Sequence, residues 1–309
     1  MTVTVNEHAE PGMPMKNRAV LASSLGQVSA LWNTNVCCWD ENGLIYVDWE
    51  AAGADIGTSW QDAYTDLQKA LARAAAGGSD EIWVAEGVYD PGRLAEERFV
   101  IPVGVSVYGG FAGYETIRDQ RNPQKYKTIL TGAADEERNS TVVRMGNNSI
   151  LDGFTITGAG NTEGLSYCVY GAGVDFTLEQ CIVAGSDGYG IRASNGNITI
   201  RWCEIKNCVD DGIRHEGSGF VLNIDNCWIM KNLTRGVACQ NSTPYIRNSI
   251  LTESDLSEAG NAGVHIFNPT NTPVLHNCTF AHNRSEGVFF ADNGTIGDPN
   301  DKDYPDVQN

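Results

Sequence analysis

No stretch of the 309 residues holds the roughly 18 consecutive apolar side chains that a membrane-spanning helix needs, so membrane insertion by a helix is not expected. The start of the chain lacks the charged-then-apolar pattern of a secretory signal; Ala19 to Leu25 is too short and too polar to supply it. Cations are scarce: 21 Lys and Arg stand against 39 Asp and Glu, a net charge of −18. That balance repels phosphate backbones and anionic lipid surfaces, which sets nucleic acid aside as a partner. The nine cysteines include no CxxC pair and no Cys/His spacing suited to zinc. Apart from the adjacent Cys37 and Cys38 they are widely spread, so buried thiols are expected rather than a disulfide scaffold. Nucleotide loops are missing too, because Gly158 to Gly164 lacks a strand-then-helix context.

What the chain does have is a repeat. Leu178-Glu-Gln-Cys181-Ile-Val183 returns as Ile200-Arg-Trp-Cys203-Glu-Ile205 and as Ile224-Asp-Asn-Cys227-Trp-Ile229. It returns again around Ser249 and Cys278, at spacings of 22, 24, 22 and 29. A second column follows each copy: Gly190-Ile191, Gly212-Ile213, Gly236-Val237, Gly263-Val264 and Gly287-Val288, at spacings of 22, 24, 27 and 24. Two features advancing together at one period outweigh either alone. The intervening segments alternate apolar and polar, which is strand periodicity, and no helix-length pattern interrupts them. Short strands at a fixed period with Gly and Asn turns predict an all-β parallel solenoid of about 22–24 residues per coil. Residues 81–309 have room for about ten such coils.

The columns acquire physical roles at once. Ile200, Ile224, Ile246 and Leu275 should stack inside with Val183, Ile205, Ile229, Leu251 and Phe280. The Cys/Ser positions should form an inward ladder, with Asn226, Asn248 and Asn277 at the left-handed corner before it. Asn207, Asn232 and Asn283 are expected to make a second ladder. Residues 1–43 read as a loosely docked or poorly ordered leader, and 44–309 as the solenoid. A strand is expected at Leu44 to Asp48. A helix over 59–77, N-capped by Ser59 and stopped at Gly77-Gly78, would cap the open interior. The final Pro305-Asp-Val-Gln-Asn309 repeats the opening of a coil, so continuation into further coils of a parent chain is expected.

Trp60-Gln-Asp-Ala-Tyr64, Glu81-Ile-Trp-Val-Ala85, Gly87-Val-Tyr89, Tyr108-Gly-Gly-Phe-Ala-Gly113 and Thr128-Ile-Leu-Thr-Gly132 carry a resemblance. They resemble the right-handed parallel β-helix repeat proteins of bacterial surfaces, within the pectin-lyase-like fold. The Gly-Gly-Phe-Ala-Gly run is also similar to polymorphic outer-membrane-protein repeats. The resemblance spans about 44–309. It implies an extracellular or cell-surface location, and it is specific for fold rather than activity.

In that fold, the resemblance implies, sites acting on polysaccharides lie on the outer face of one parallel sheet. If Ile191, Ile213 and their column point inward, the next residues point outward. These are Arg192, Arg214, Ala238, His265 and Phe289, with Asp175 placed one coil earlier. Arg192 and Arg214 could clamp uronate carboxylates. Asp187, Asp210 and Asp211, in the turns before them, could hold Ca²⁺. A pectate-type lyase combines such an ion with an Arg or Lys base. The competing reading pairs these aspartates with the arginines as plain surface neutralisation. The Asn-Thr-Asp and Gly-His-Gly motifs that the resemblance would imply for a polygalacturonase-like hydrolase are absent, which counts against that reading, and His215 falls in the inward register. The acidic run Asp298 to Asp303 has Lys302 where a calcium loop needs an oxygen. Tyr170, Tyr189, Trp202, Trp228 and Phe289 are candidate stacking surfaces for sugars.

The expectation is therefore a non-catalytic β-helix module of a secreted or cell-surface protein, either carbohydrate-binding or adhesive, with polysaccharide or a surface glycan as the partner in view. The alternative is a calcium-dependent uronate lyase using Arg192 and Arg214. Calcium is the one cofactor in view, and only under that alternative.

Overall fold

A computed structural model of the chain describes residues 14–23, 26–35, 43–78, 80–92, 97–132, 140–160, 165–254, 262–284, 286–292, 295–296 and 306–308. About half of the 1–43 leader lies outside them; within the other half, Pro14–Ser23 and Gly26–Asn35 pair as antiparallel strands. The acidic run at 298–303 lies outside the described residues altogether.

From residue 81 the chain winds as a right-handed parallel solenoid. Each turn lays one strand on each of three sheets. Turn four is Phe176–Glu179, Ile182–Ala184 and Tyr189–Ser194. Turn five is Ile198–Arg201, Glu204–Lys206 and Ile213–Glu216, and turn six is Val221–Asp225, Trp228–Met230 and Val237–Gln240. Turn one opens at Glu81–Ala85 and turn eight at Val274–His276, so the described residues form about eight turns where room for about ten was expected. The short period holds only in the later coils; the second turn carries long connections between Phe111 and Thr128 and between Thr131 and Thr141.

The interior columns align as the repeat predicts. Val183, Ile205, Ile229, Leu251 and Phe280 are in register on the second sheet, and all but the partly buried Phe280 are fully buried. Cys181, Cys203, Cys227 and Ser249 are buried in line before it. The Cys181 N–H donates to the Cys203 Sγ at 3.4 Å, and the Cys227 N–H to the Ser249 Oγ at 3.1 Å. Asn226, Asn248 and Asn277 hold left-handed corners at φ of 53°, 50° and 52°, and the Asn277 amide donates to the Asn248 Oδ1 at 2.8 Å. The glycine column has a steric cause: a Cβ on Gly212 would sit 2.8 Å from the Gly236 carbonyl, and one on Gly236 2.6 Å from that of Gly263.

Two expectations need correction. Asn207 is not in the column of Asn232 and Asn283. It takes the left-handed corner itself, at φ 55°, while Asn232 and Asn283 lie one position further on and turn inward. There the Asn232 Oδ1 accepts the Cys208 N–H at 3.2 Å and the Asn283 Oδ1 accepts the Ser254 N–H at 3.0 Å. The helix is also shorter than expected, Leu67–Arg73, with Asp66 rather than Ser59 as N-cap. Trp60 is claimed by an aromatic cluster on the outer face of the first sheet with Tyr46, Trp83 and Phe111, which turns the chain away from helix. Its indole N–H also donates to the Glu115 carbonyl at 2.8 Å. Leu67, Ala70 and Leu71 still join the main core beside Ile45 and Phe99, at the end of the solenoid interior, and Gly77 (φ 82°) ends the segment.

Asn232 offers a test of the inner ladder. Asn232→Ala should cost about 1–3 kcal/mol, because the buried Cys208 N–H loses its acceptor; urea denaturation would read the change.

Candidate functional site

The outer face of the third sheet collects the polar and aromatic side chains singled out by the repeat. Parallel pairing places Arg144, Tyr170, Arg192, Arg214, Ala238, His265 and Phe289 in one column across seven turns. Asp175 is not in it; Tyr170 occupies that place. The Asp175 carboxylate instead accepts the Asn197 N–H at 2.6 Å, in the turn leading to the first sheet. The next coil's turn needs that acceptor, so the side chain is held away from the face.

Tyr189 is on the face, and it does not stand alone. The Tyr167 and Tyr170 rings stack at 5.1 Å, and the Tyr167 and Tyr189 rings at 5.8 Å with 20° between planes. The Arg192 guanidinium lies 5.7 Å from the centroids of both Tyr167 and Tyr189, donates to the Tyr167 Oη at 3.0 Å and reaches the Glu216 Oε2 at 3.4 Å. Burial drives the Tyr189 phenol up to about 12, reinforced by the Asp210 charge.

Arg214 is fully engaged. Its Nε donates to the Glu216 Oε1, its Nη1 to Asp211 at 3.4 Å and its Nη2 to the Gln240 Oε1 at 3.2 Å. Burial works against both guanidinium charges, yet Tyr167 and Glu216 around Arg192, and Glu216 and Asp211 around Arg214, outweigh it and raise both pKa values. Burial likewise pushes Glu216 up, but its hydrogen bond and charge pairing with Arg214, aided by Arg192, hold it below the ordinary carboxylate range. Glu216 is the member that the sequence reading missed. It follows Arg214 by two residues in a strand and so faces the same way.

The three aspartates do not converge. Asp211 is fully buried and accepts the Thr234 hydroxyl at 2.6 Å and the Arg235 N–H at 3.2 Å. Asp210 accepts the same hydroxyl at 3.1 Å, while Asp187 is exposed a turn away. Among the described residues no three His, Cys, Asp or Glu side chains gather as a metal site. Thr234 and Arg235 thus occupy hydrogen-bonding positions of the Asp211 carboxylate. Further along the face, His265 meets Phe289 edge-on at 4.8 Å and borders a cavity of about 170 Å³ with Arg214, Arg235, Gln240 and Phe267. His215 is fully buried, as its register predicts.

Comparison with known proteins bears on the fold. A solved pectate lyase, Pel9A, is similar at a TM-score of 0.56 and 14% identity, over 83% of this chain and 77% of that one. The pectin methylesterase from Aspergillus niger gives a TM-score of 0.48 and 15% identity, over 87% of this chain and 90% of that one. No curated protein matches the sequence. No helix among the described residues is long and apolar enough to cross a membrane. The sequence model of the family described as "Right handed beta helix region" matches residues 133–251 and, overlapping, 168–300. With more than half of its length matched and eight parallel turns in place, the chain belongs to the right-handed β-helix family.

Proposed function

We propose that the protein is a non-catalytic carbohydrate-binding module of a secreted or cell-surface protein, with the outer face of the third sheet as its binding surface. The observation that carries this reading is the ring stack of Tyr167, Tyr170 and Tyr189 with Arg192 laid over it. Flat rings take the apolar face of a pyranose, and phenol and guanidinium groups meet its hydroxyls or a carboxylate. Arg144 extends the column one turn beyond Tyr170 and is exposed, which favours a uronate-containing chain at that end.

The lyase alternative is poorly served by the same residues. A proton-abstracting arginine must shed its charge, and the partners of Arg192 and Arg214 favour keeping it. Glycan-array binding followed by calorimetry with hexagalacturonate tests the proposal. Tyr189→Ala should weaken the bound glycan at least tenfold at an unchanged melting temperature. Appearance of unsaturated product in ultraviolet absorbance, with Ca²⁺ present, would replace the binding role with a catalytic one.

A further inference from the structure

A second groove lies on a different face. It runs along the corner between the first and second sheets and encloses about 820 Å³. Its floor is the second sheet, its rim the corner amides Gln180, Asn226 and Asn248, and its end wall the segment from Pro123 to Lys127. Two indoles stand in it: Trp202 is 54% exposed and Trp228 48%. They belong to consecutive turns, and the backbone N–H of Trp228 donates to the Cys203 carbonyl at 2.9 Å. With Ile250, 44% exposed and paired with Trp228 in the next turn, they form a contiguous apolar patch rather than scattered single residues, and a patch of that kind marks a surface that something covers.

Trp202 also breaks the rule of its own column. The corner positions are Gln180, Trp202, Asn226, Asn248 and Asn277, all left-handed, and Trp202 holds φ 53°. Asparagine tolerates that conformation through its short polar side chain, whereas a bulky residue is strained in it. The repeat thus places an indole where its neighbours place an amide, at a cost to folding. Strain of this kind collects where a side chain is held for a ligand. The Arg201 guanidinium, paired with Glu179, lies 5.6 Å from the Trp202 ring centroid and fixes one face of the indole.

We infer that this groove is a second carbohydrate site, built for a neutral oligosaccharide and separate from the third-sheet face. Trp202 and Trp228 stack on the apolar faces of successive pyranoses, and the corner amides bond their hydroxyls. Charge argues for a neutral chain along the indoles: of the lining residues only Lys127 and Glu204 are charged, Glu204 is paired with Lys206 at 2.8 Å, and Lys127 is confined to the far end by the second turn. The groove reaches from the second turn to the seventh, roughly 24 Å at the strand spacing, which suits an oligosaccharide rather than a single sugar.

The test uses the full chain with cellohexaose, xylohexaose and mannohexaose as probes, followed by tryptophan fluorescence and calorimetry. Trp202→Asn installs the residue that the column prefers, and Trp228→Thr copies Thr279 from its own column. At least one probe should bind and shift the emission, and each variant should weaken that probe at least tenfold. Trp202→Asn should also melt higher, by roughly 1–3 °C. Failure of all three probes to bind, or binding that survives in both variants, overturns the assignment. So does a wild-type dimer that either variant turns into monomer, since the groove would then be a protein interface.

Discussion

Ile205→Asp is expected to unfold the middle of the solenoid. Ile205 is fully buried in register between Val183 and Ile229. Removing its side chain costs about 2–5 kcal/mol, and an unpaired carboxylate in that environment adds several more. The sum rivals the roughly 5–15 kcal/mol that holds a domain together. A stacked coil contacts mainly its neighbours, so the loss should be local at first. Hydrogen exchange should show turns four to six deprotected while turn two retains its protection. Glu204→Gln is the matched control on the outward side of the same strand, where a half-exposed pair with Lys206 is worth about 1 kcal/mol or less. A denaturation midpoint for Ile205→Asp equal to that of the wild type would mean that side chains a coil apart do not stack.

Much of this arrangement was legible before any coordinates. A period shared by Cys181, Cys203 and Cys227 and by the glycine column fixes which residues lie over one another, because each coil must present the same side chain to the same depth. Arg192, Arg214, His265 and Phe289 followed from counting one residue past the glycine-and-isoleucine pair. Asp175 was misplaced because the count from an irregular third turn has no glycine marker. The helix start was misread because Trp60, Ala63 and Tyr64 have helical spacing, yet Trp60 packs against Phe111, fifty-one positions away. The second groove was hidden for a related reason. Trp202 and Trp228 are visible in the repeat, but the wall beside them comes from Pro123 to Lys127, an insertion outside the period. Local pattern reports the stacked part of a solenoid; what its long loops cover is set by contacts the pattern does not contain.

Acid should weaken the protein through two histidines held neutral. His215 is fully buried; its Nε2 donates to the Gly196 carbonyl at 2.9 Å, while its Nδ1 has no partner. Burial lowers its pKa, with Glu216 and the Gly196 bond opposing. His265 is lowered to about 4, first by burial and then by the charges of Arg235 and Arg214. A folded pKa below the unfolded value of 6.5 gives a contribution that is complete above that value. It is lost as pH falls through the folded pKa, because the unfolded chain takes up the proton first. For His265, allowing for its partial exposure, the loss between pH 7 and pH 4 should be about 2 kcal/mol. Asp152 and Asp211 act in the opposite sense, since burial raises both: their contribution is present at low pH and fades as pH rises through their folded values. The net curve therefore mixes signs, and the comparison of variants separates them. His265→Gln should leave urea stability at pH 7 within about 1 kcal/mol and flatten the decline toward pH 4 by the amount above. Parallel curves for variant and wild type from pH 7 to pH 4 would show that His265 titrates as freely in the folded protein as in the unfolded chain.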